Sequence, residues 1–396
     1  MSNAPLIHES DVPEYVLPRL LPEGGLATWS AHRKTLIALL SEHAYGHTPQ
    51  TDPEGGVHVK EISRGHAPHA PGSTRIQLCL AIGPVSNRHA VRVLLYLPPG
   101  KVKCCFLGVN FSGNHSIDPD PEIELPRGWM YPWEGTGVVD NRATEAGRGT
   151  RSRRWPVGMI LEQGCALATF YCGDLGPDQE DHPQCASFKR LFPTPENSAS
   201  EWGNIGIWAW GLCRVREALA ALPELNGTAC VAVGHSRMGK AALWAAAGDE
   251  RFAGVFSNCS GCMGAALSRR CVGETVANIT ESFPHWFCPR LRSWANKEAE
   301  MPFDQHMLLA LMAPRPLLVN SAEEDLWADP RGEFLSAVAA SEAYTLLGTQ
   351  GLAGESFPPV GQPLLEHRVG YAIRSGKHDL LPADWTRALT FFPRHV

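Results

Sequence analysis

The chain has 396 residues, of which 44% are hydrophobic and 19% are charged, so it can bury a large core and is not expected to be disordered. Its 35 Lys and Arg residues against 41 Asp and Glu residues give a formal net charge of −6, and neither sign forms a long block. Because a dedicated nucleic-acid binder needs a basic surface to displace counterions from phosphates, we expect no nucleic-acid partner. No stretch reaches the roughly 18 apolar residues of a membrane helix, so we expect no membrane partner either.

The sequence also lacks targeting and cofactor motifs. Residues 1–21 carry Glu9, Asp11, Glu14 and three prolines where an export signal would have a basic start and an apolar run, so we expect no signal peptide in this chain. The pair Cys259-x-x-Cys262 has metal spacing, but a structural zinc ion needs four ligands and no second pair is close in sequence. There is no P-loop, HExxH or EF-hand motif, so we expect side-chain chemistry without a metal or cofactor.

The first half of the chain begins with an N-terminal extension of about 50 residues, ahead of the first strand patterns. Short β-rich runs bounded by Gly, Pro or Asn then predict strands at residues 74–82, 90–97 and 104–111. Residues 117–154 follow as a long irregular insertion, with Trp129, Trp133 and a basic cluster formed by Arg148, Arg151, Arg153 and Arg154. An insertion of this length is typical of a functional segment.

In the second half, helical and strand patterns alternate. Helices are predicted at 157–163, 205–222, 241–247 and 384–392, and buried strands at 165–171, 230–233, 254–256, 317–320 and 369–373. A polar loop up to Pro195 and the segment 269–294 are interpreted as irregular. This alternation predicts an α/β fold with a mostly parallel sheet covered by helices on both faces, and we expect one domain over residues 1–396.

The segment Gly234-His-Ser-Arg-Met-Gly-Lys240 lies between a predicted strand and a predicted helix. A serine at such a sharp turn projects above the sheet edge, where it can act as a nucleophile. The match to the GxSxG pattern is imperfect, because Met238 stands at the second glycine position and Gly239 follows it. We interpret Ser236 as a nucleophile and the amide of Arg237, at the helix start, as a donor to a developing oxyanion.

An acid and a histidine follow in the chain order that α/β-hydrolases use. The loop after strand 317–320 offers four carboxylates, and the loop after strand 369–373 contains His378. Taken singly, Glu323, Glu324 and Asp329 would be ordinary solvated loop charges. The ordered set of serine, acid and histidine favours a serine hydrolase.

A set of motifs spread over most of the chain resembles the glucuronoyl esterases of carbohydrate esterase family 15, particularly their bacterial branch. Besides the serine segment, these motifs are Asn110-Phe-Ser-Gly-Asn-His115, Ser152-Arg-Arg-Trp-Pro156, Ala168-Thr-Phe-Tyr-Cys-Gly-Asp174, Glu201-Trp-Gly203, Trp208-Ala-Trp-Gly211, Phe283-Pro-His-Trp-Phe287, Asp304-Gln-His306, Ala313-Pro-Arg-Pro316 and Asp325-Leu-Trp-Ala-Asp-Pro330. The resemblance implies an α/β-hydrolase fold and no metal. It also implies a glucuronoxylan-type substrate, cleaved at the ester between a glucuronic acid, often 4-O-methylated, and an alcohol of lignin.

The resemblance also implies roles for individual residues. Ser236 is the nucleophile, His378 the base, and Arg237 stabilises the oxyanion through its amide and side chain. The positions that hold the sugar hydroxyls are occupied by Lys240, Glu274 and Trp327. An aromatic face beside a few fixed polar groups suits a sugar ring.

One position departs from the family pattern. In fungal relatives the acid is a Glu one residue before a Ser-Gly pair, and here that residue is Cys259. A neutral thiol is a poor partner for an imidazolium. We therefore expect the acid in the loop after strand 317–320, as in some bacterial relatives, with Asp325 favoured over Asp329.

Two other functions are considered. The chain could be a broader carboxylesterase acting on small uronate or acetylated sugar esters, or a uronate-binding protein without catalysis, since the fungal-type acid is missing. Without a signal peptide we expect a cytoplasmic location for the chain as written, although the family is usually exported. Oligomeric state and cysteine redox state are left open.

Overall fold

The computed structural model describes residues 8–49, 51–193, 199–354 and 356–396. Its centre is a nine-stranded sheet. The strands are β1 Val57–His66, β2 Thr74–Ile82, β3 His89–Leu97, β4 Cys105–Asn110, β5 Ala166–Tyr171, β6 Cys230–His235, β7 Gly254–Asn258, β8 Leu317–Ala322 and β9 Val369–Arg374.

The order of strands across the sheet is β1-β2-β3-β5-β4-β6-β7-β8-β9. The pairings among β1, β2, β3 and β5 are antiparallel, and those from β5 through β4 to β9 are parallel. Every residue of β4 to β9 is buried, which explains why these strands are nearly continuous apolar runs in the sequence. The prediction of a mostly parallel sheet is confirmed.

Helices cover both faces of this sheet. They are α1 Trp29–Leu40, α2 Val157–Glu162, α3 Pro183–Lys189, α4 Asn204–Ala220, α5 Arg237–Gly248, α6 Val276–Ser282, α7 Gln305–Ala310, α8 Pro330–Leu346 and α9 Pro382–His395. None of the helices in the described ranges is long and apolar enough to cross a membrane.

The core is divided by the sheet into two clusters, because successive side chains of a strand point to opposite faces. In β6, Ala232 joins the cluster that contains α1, α4, α5, α7 and α8 residues. Its neighbours Val231 and Val233 join the cluster formed with α2 and α9. The first cluster also contains Leu20, Leu36 and Tyr45, so much of the predicted N-terminal extension packs into the core.

Most strands agree with the predicted ones within a few residues, but β1, α1 and α7 were not predicted. The polar loop predicted up to Pro195 contains α3, and the segment 269–294 contains α6, so both predictions of irregular structure are wrong there. Residues 194–198, at the end of that loop, lie outside the described residues. Both helices have seven residues, too few for a clear helical period.

The helix predicted at 241–247 begins earlier, at Arg237. The 17-residue helix α8 was not assigned from the sequence. Its buried side includes Glu333 and Ser336 beside several alanines, which obscures the apolar period. In the insertion at 117–154, the described backbone forms short 3-10 turns, such as Glu145–Gly147 and Ser152–Arg154, and one isolated bridge between Val139 and Arg142, in keeping with its irregular sequence.

Candidate active site

Ser236 occupies the turn between β6 and α5 with a positive φ of 57° and a ψ of −132°. Such a backbone conformation is uncommon for a residue with a side chain and is a feature of strand-to-helix turns that present a nucleophile. The amide of Ser236 donates to the carbonyl of Asn258 at 2.9 Å, which ties the turn to the end of β7. Arg237 is the first residue of α5, so its amide is one of the four without a partner inside the helix.

The two glycines of the serine segment are explained by close approaches. A Cβ at Gly234 would lie 2.0 Å from the carbonyl oxygen of Met238, and a Cβ at Gly239 would lie 2.9 Å from Cβ of Ser260. Met238 itself is fully buried. A glycine is therefore needed at position 239, where Ser260 of the loop after β7 approaches. For this steric reason the glycine follows the serine by three residues here and not by two, as in GxSxG.

His378 and Asp325 meet beyond the carboxyl ends of β9 and β8. His378 Nδ1 lies 2.5 Å from Oδ2 of Asp325. Since an ionised carboxylate only accepts, Nδ1 is the donor and Nε2 carries the free lone pair. The side chain of Asp325 is 5% exposed and that of His378 is 42% exposed, so the carboxylate lies behind an imidazole that faces solvent.

Several contacts from other elements hold the loop that carries His378. Arg154 Nε donates to Oδ1 of Asp379 at 2.6 Å. The carbonyl of Asp379 accepts from Asn258 Nδ2 at 2.9 Å and from a guanidinium nitrogen of Arg374 at 2.7 Å. The insertion at 117–154, β7 and β9 thus all fix the residue that follows His378.

Cys259, at the position of the fungal acid, lies beside Asp325 and His378, but its side chain is a thiol. Its side chain is buried, and its amide donates to the carbonyl of Asn320 at 2.7 Å. Burial, together with the charges of Glu333 and Asp325, raises the pKa of the Cys259 thiol well above its ordinary value. The thiol therefore stays protonated and supplies no negative charge to His378.

Asp329, the alternative acid, points elsewhere. Its carboxylate accepts from the amide of Gly332 at 2.9 Å, where it caps the start of α8. It also accepts from Arg270 Nε at 2.8 Å, and Arg270 pairs in turn with Glu9 near the N-terminus. These contacts account for Asp329 as a helix cap and ion-pair partner.

The guanidinium of Arg237 pairs with Asp178, a residue that the sequence interpretation did not single out. Arg237 Nε lies 2.5 Å from Oδ2 of Asp178, and the guanidinium carbon lies 4.5 Å from the centroid of the Phe111 ring. Asp178 also accepts from His285 Nε2 at 2.9 Å and Trp286 Nε1 at 2.6 Å. Although burial acts to raise it, the pKa of Asp178 lies below its ordinary value because the Arg237 charge and these hydrogen bonds stabilise the carboxylate.

Two signals in the sequence point to this cluster. Asp178 lies in the polar loop after β5, whose carboxyl end shares an edge of the sheet with that of β6. His285 and Trp286 lie in the motif Phe283-Pro-His-Trp-Phe287, to which no role was given.

The three residues predicted to bind the sugar lie side by side. Lys240 Nζ donates to the carbonyl of Ser260 at 2.6 Å and lies 3.8 Å from Oε2 of Glu274. The amide of Glu274 donates to the carbonyl of Trp327 at 2.9 Å, and Trp327 is 48% exposed. Burial raises the pKa of Glu274 even though Lys240 acts to lower it.

A cavity of about 350 Å³ contains Ser236, Arg237 and His378. The insertion at 117–154 forms one wall of it. The other lining residues are Phe111, Ser112, Trp133, Glu134, Arg151, Arg154 and His235. Lys240, Glu274 and Trp327 are not among the lining residues that the structure describes, although Glu274 is close enough to His378 and Asp325 for their charges to act on its pKa. A larger cavity of about 660 Å³, lined by residues of α1, α4 and α5, contains none of the predicted site residues.

His235 is a second histidine in the cavity. Its ring centroid lies 4.5 Å from that of His378, and its Nδ1 accepts from Asn258 Nδ2 at 2.9 Å. Burial, and the positive charges of His378 and Arg154, lower the pKa of His235 well below its ordinary value. His235 is therefore a neutral ring that packs against His378.

The sheet order, the serine turn after β6 and the loops after β8 and β9 define an α/β-hydrolase. The family described as "Glucuronyl esterase, fungi" matches residues 153–348. The chain is 40% identical over 400 residues to carbohydrate esterase MZ0003 of an unknown prokaryotic organism, covering 98% of this chain and 91% of that protein. The chain therefore belongs to the glucuronoyl esterases of carbohydrate esterase family 15 and is a carboxylic ester hydrolase.

Solved structures agree with this assignment. A promiscuous family 15 esterase from a marine bacterial metagenome superimposes with a TM-score of 0.92 and 38% sequence identity, over 99% of this chain and 100% of that chain. The glucuronoyl esterase from Solibacter usitatus superimposes with a TM-score of 0.88 and 35% identity, over 97% and 98% of the two chains.

Proposed function

We propose that this enzyme hydrolyses esters of glucuronic acid and its 4-O-methyl derivative, as in linkages between glucuronoxylan and lignin, through Ser236, His378 and Asp325. The observation that carries the proposal is the 2.5 Å contact of His378 with the buried Asp325, in a loop that opens on the same cavity as Ser236. This arrangement has the parts of an activated serine: a hydroxyl on a sharp turn, a base, and a charge that orients the base.

The acylation step follows from these positions. Nε2 of His378 takes the proton of the Ser236 hydroxyl as Oγ attacks the carbonyl carbon of the ester. The carbonyl oxygen gains a negative charge, which the amide of Arg237 and its guanidinium stabilise. The imidazolium then gives its proton to the departing alcohol oxygen, which leaves a glucuronoyl ester on Ser236.

Deacylation repeats these proton transfers with water. His378 takes a proton from water, the resulting hydroxide attacks the acyl carbon, and Ser236 leaves with the proton from His378. The product carries a carboxylate, which is attracted to Arg237. Asp178 holds that guanidinium in place and offsets part of its charge.

The two ends of the substrate meet different surfaces in this proposal. Lys240, Glu274 and Trp327 offer an ammonium, a carboxyl and an exposed ring to the sugar hydroxyls and ring face. On the insertion side, Tyr131 and Trp133 are 46% and 44% exposed, with ring centroids 4.3 Å apart. Because Trp133 lines the Ser236 cavity, this aromatic surface is suited to an aromatic alcohol.

The experiment is hydrolysis of the benzyl ester of glucuronic acid, with a plain acetyl ester for comparison. The wild type should cleave the uronate ester, and Ser236→Ala should lose at least about 10⁴-fold in kcat. Ser112→Ala, at a serine in the same cavity, is the matched control and should keep most of the activity. Substantial hydrolysis by a folded Ser236→Ala variant would exclude Ser236 as the nucleophile.

A broader carboxylesterase is the second candidate. It is favoured because the proposed sugar-binding residues stand outside the lining of the Ser236 cavity, and because a relative of 38% identity is described as promiscuous. Benzyl esters of a uronate with and without ring hydroxyls separate the two. Equal kcat/KM for both would favour the broader esterase. Because the chain belongs to an esterase family, a binding protein without catalysis is not proposed.

A further inference from the structure

Cys259, at the position of the fungal acid, lies close to Asp325 and His378, and all three side chains can bind a metal ion. The possible ligand atoms of Cys259, Asp325 and His378, a thiol sulfur, a carboxylate oxygen and an imidazole nitrogen, all lie within 4.8 Å of one another. It is the one group of three or more such residues found in the described part of the chain. Sulfur, nitrogen and oxygen ligands together are the set that zinc prefers.

The three residues follow three neighbouring parallel strands, β7, β8 and β9, so the sheet itself brings them together. Cys259 and Asp325 are buried, and their backbones are fixed by amide contacts with Asn320 and Ala322. In a tetrahedral zinc site, bonds of about 2.0–2.3 Å place neighbouring ligand atoms about 3.3–3.6 Å apart. The ligands therefore need shifts of only about 1 Å to surround an ion.

His378 is the member of the group that can make this shift and admit the ion. Its side chain is 42% exposed, whereas that of Asp325 is 5% exposed. An ion that enters from the cavity meets the imidazole first and the carboxylate and sulfur behind it. Because His378 lines the Ser236 cavity, the group is open to solvent on that side, and water from the cavity can supply a fourth ligand.

We propose that Cys259, Asp325 and His378 bind a thiophilic divalent cation, with Zn²⁺ as the representative, and that binding reversibly inhibits the esterase. The Cys259 thiol loses its proton to solvent when the sulfur–metal bond forms. At His378 the Nδ1–H hydrogen bond to Asp325 is replaced by an Nδ1–metal bond, and the displaced proton moves through solvent to Nε2. The ring then has no lone pair left to accept the proton of Ser236. The inhibition rests on the proposed role of His378, whereas the binding rests on the three side chains alone.

Binding is tested with Co²⁺ as a spectroscopic probe and Zn²⁺ as a competitor, on protein freed of metal by a chelator that is then removed. The wild type should show the near-ultraviolet charge-transfer band of a thiolate bound to Co²⁺, and Zn²⁺ should abolish it. Cys259→Ala should lose the band and bind at least about 100-fold more weakly, because the thiolate ligand is gone. Cys262→Ala is the matched control, since Cys262 is a buried cysteine of the same loop outside the group.

Inhibition is measured in a separate experiment, in which the hydrolysis rate of each protein with Zn²⁺ is compared with the rate of the same protein without metal. Zn²⁺ should lower the hydrolysis rate of the wild type and of Cys262→Ala at least about tenfold at saturation, and a chelator should restore it. Cys259→Ala should need at least about 100-fold more Zn²⁺ for the same inhibition. If that variant does not fold, Asp325→Asn removes a second ligand and serves for the Co²⁺ measurement.

The outcomes separate the site from the proposed function. Equal inhibition of Cys259→Ala and wild type, or Co²⁺ binding without the thiolate band, would overturn the metal site. A thiolate band without any loss of esterase activity would leave the site intact and refute the role of His378 as base.

Discussion

The loops after β7 and β8 approach the same histidine with different chemistry. Cys259, directly after β7, brings a neutral thiol, and Asp325, in the loop after β8, brings a carboxylate 2.5 Å from His378. Both residues are buried and lie at the same edge of the sheet. In a parallel sheet the loops after neighbouring strands lie at the same edge, so the acidic residue that contacts the histidine can be carried by either loop.

Of the changes in these two loops, Asp325→Asn should have the largest effect, because it removes the charge behind His378 while keeping the side-chain shape. We expect kcat for the uronate ester to fall by about 10³–10⁴-fold, because the imidazolium loses its orienting partner. Steady-state kinetics on a folded variant is the measurement. Asp329→Asn is the control. It should lower the melting temperature, because it weakens the cap on α8, and should change kcat little. A large loss of kcat in Asp329→Asn and a small one in Asp325→Asn would identify Asp329 as the acid.

A carboxylate placed on the β7 loop tests whether that loop can also support the histidine. In the Asp325→Asn background, Cys259→Asp places a carboxylate beside His378 from the other loop. We expect kcat to recover by about 10–100-fold relative to Asp325→Asn alone, since a charge returns without the optimal geometry. Cys259→Asn in the same background is the neutral control. No difference between these two double variants would mean that the β7 loop cannot support the histidine.

Glu333 of α8 connects the two loops and gives a pH-dependent prediction. Its carboxyl group is fully buried, accepts from the amide of Gly261 at 2.9 Å, and forms a 2.5 Å hydrogen bond with Oγ of Ser321. Burial raises the pKa of Glu333 to about 8. Because the folded protein holds this proton more tightly than the unfolded chain, the stabilisation is present below the unfolded pKa and is lost as the pH rises towards 8.

Glutamine resembles the protonated acid, so the free energy of unfolding of Glu333→Gln should fall less than that of the wild type between pH 5 and pH 8. The difference between the two free energies should grow by about 1.4 kcal/mol per pH unit at most, as measured by urea unfolding at several pH values. Glu324→Gln, at an exposed position of the β8 loop, is the control. Parallel stability profiles for the wild type and Glu333→Gln would show that Glu333 is ionised in the folded protein.

The smallest expected effect is that of Cys259→Ala in the absence of metal. The thiol carries no charge that His378 uses, so kcat should change by less than about threefold. The free energy of unfolding should fall by about 1 kcal/mol from the small cavity, as measured by urea unfolding. A loss of kcat as large as that of Asp325→Asn would show that the β7 position still carries the acid function.

The described elements show where prediction from sequence succeeds. The buried strands β4 to β9 were predicted within about two residues, because a strand buried on both faces has an unbroken apolar sequence. Five helices were missed: α3, α6 and α7, which have only six or seven residues, α8, which has polar residues on its buried side, and α1, in the segment interpreted only as an N-terminal extension. At the site, Ser236, Asp325 and His378 were predicted from strand-end positions and chain order, whereas Asp178 was not.

Local patterns and short motifs were enough to predict the fold class, the family and the chain order of the proposed serine, acid and histidine. Which of these residues come into contact depends on the tertiary structure. It set Asp325 against His378 and Asp329 against Arg270, and it paired Arg237 with Asp178 from another part of the chain. It also made the insertion a wall of the cavity through Trp133 and Arg154. These contacts depend on strand order across the sheet, and no local pattern encodes which strand ends become neighbours.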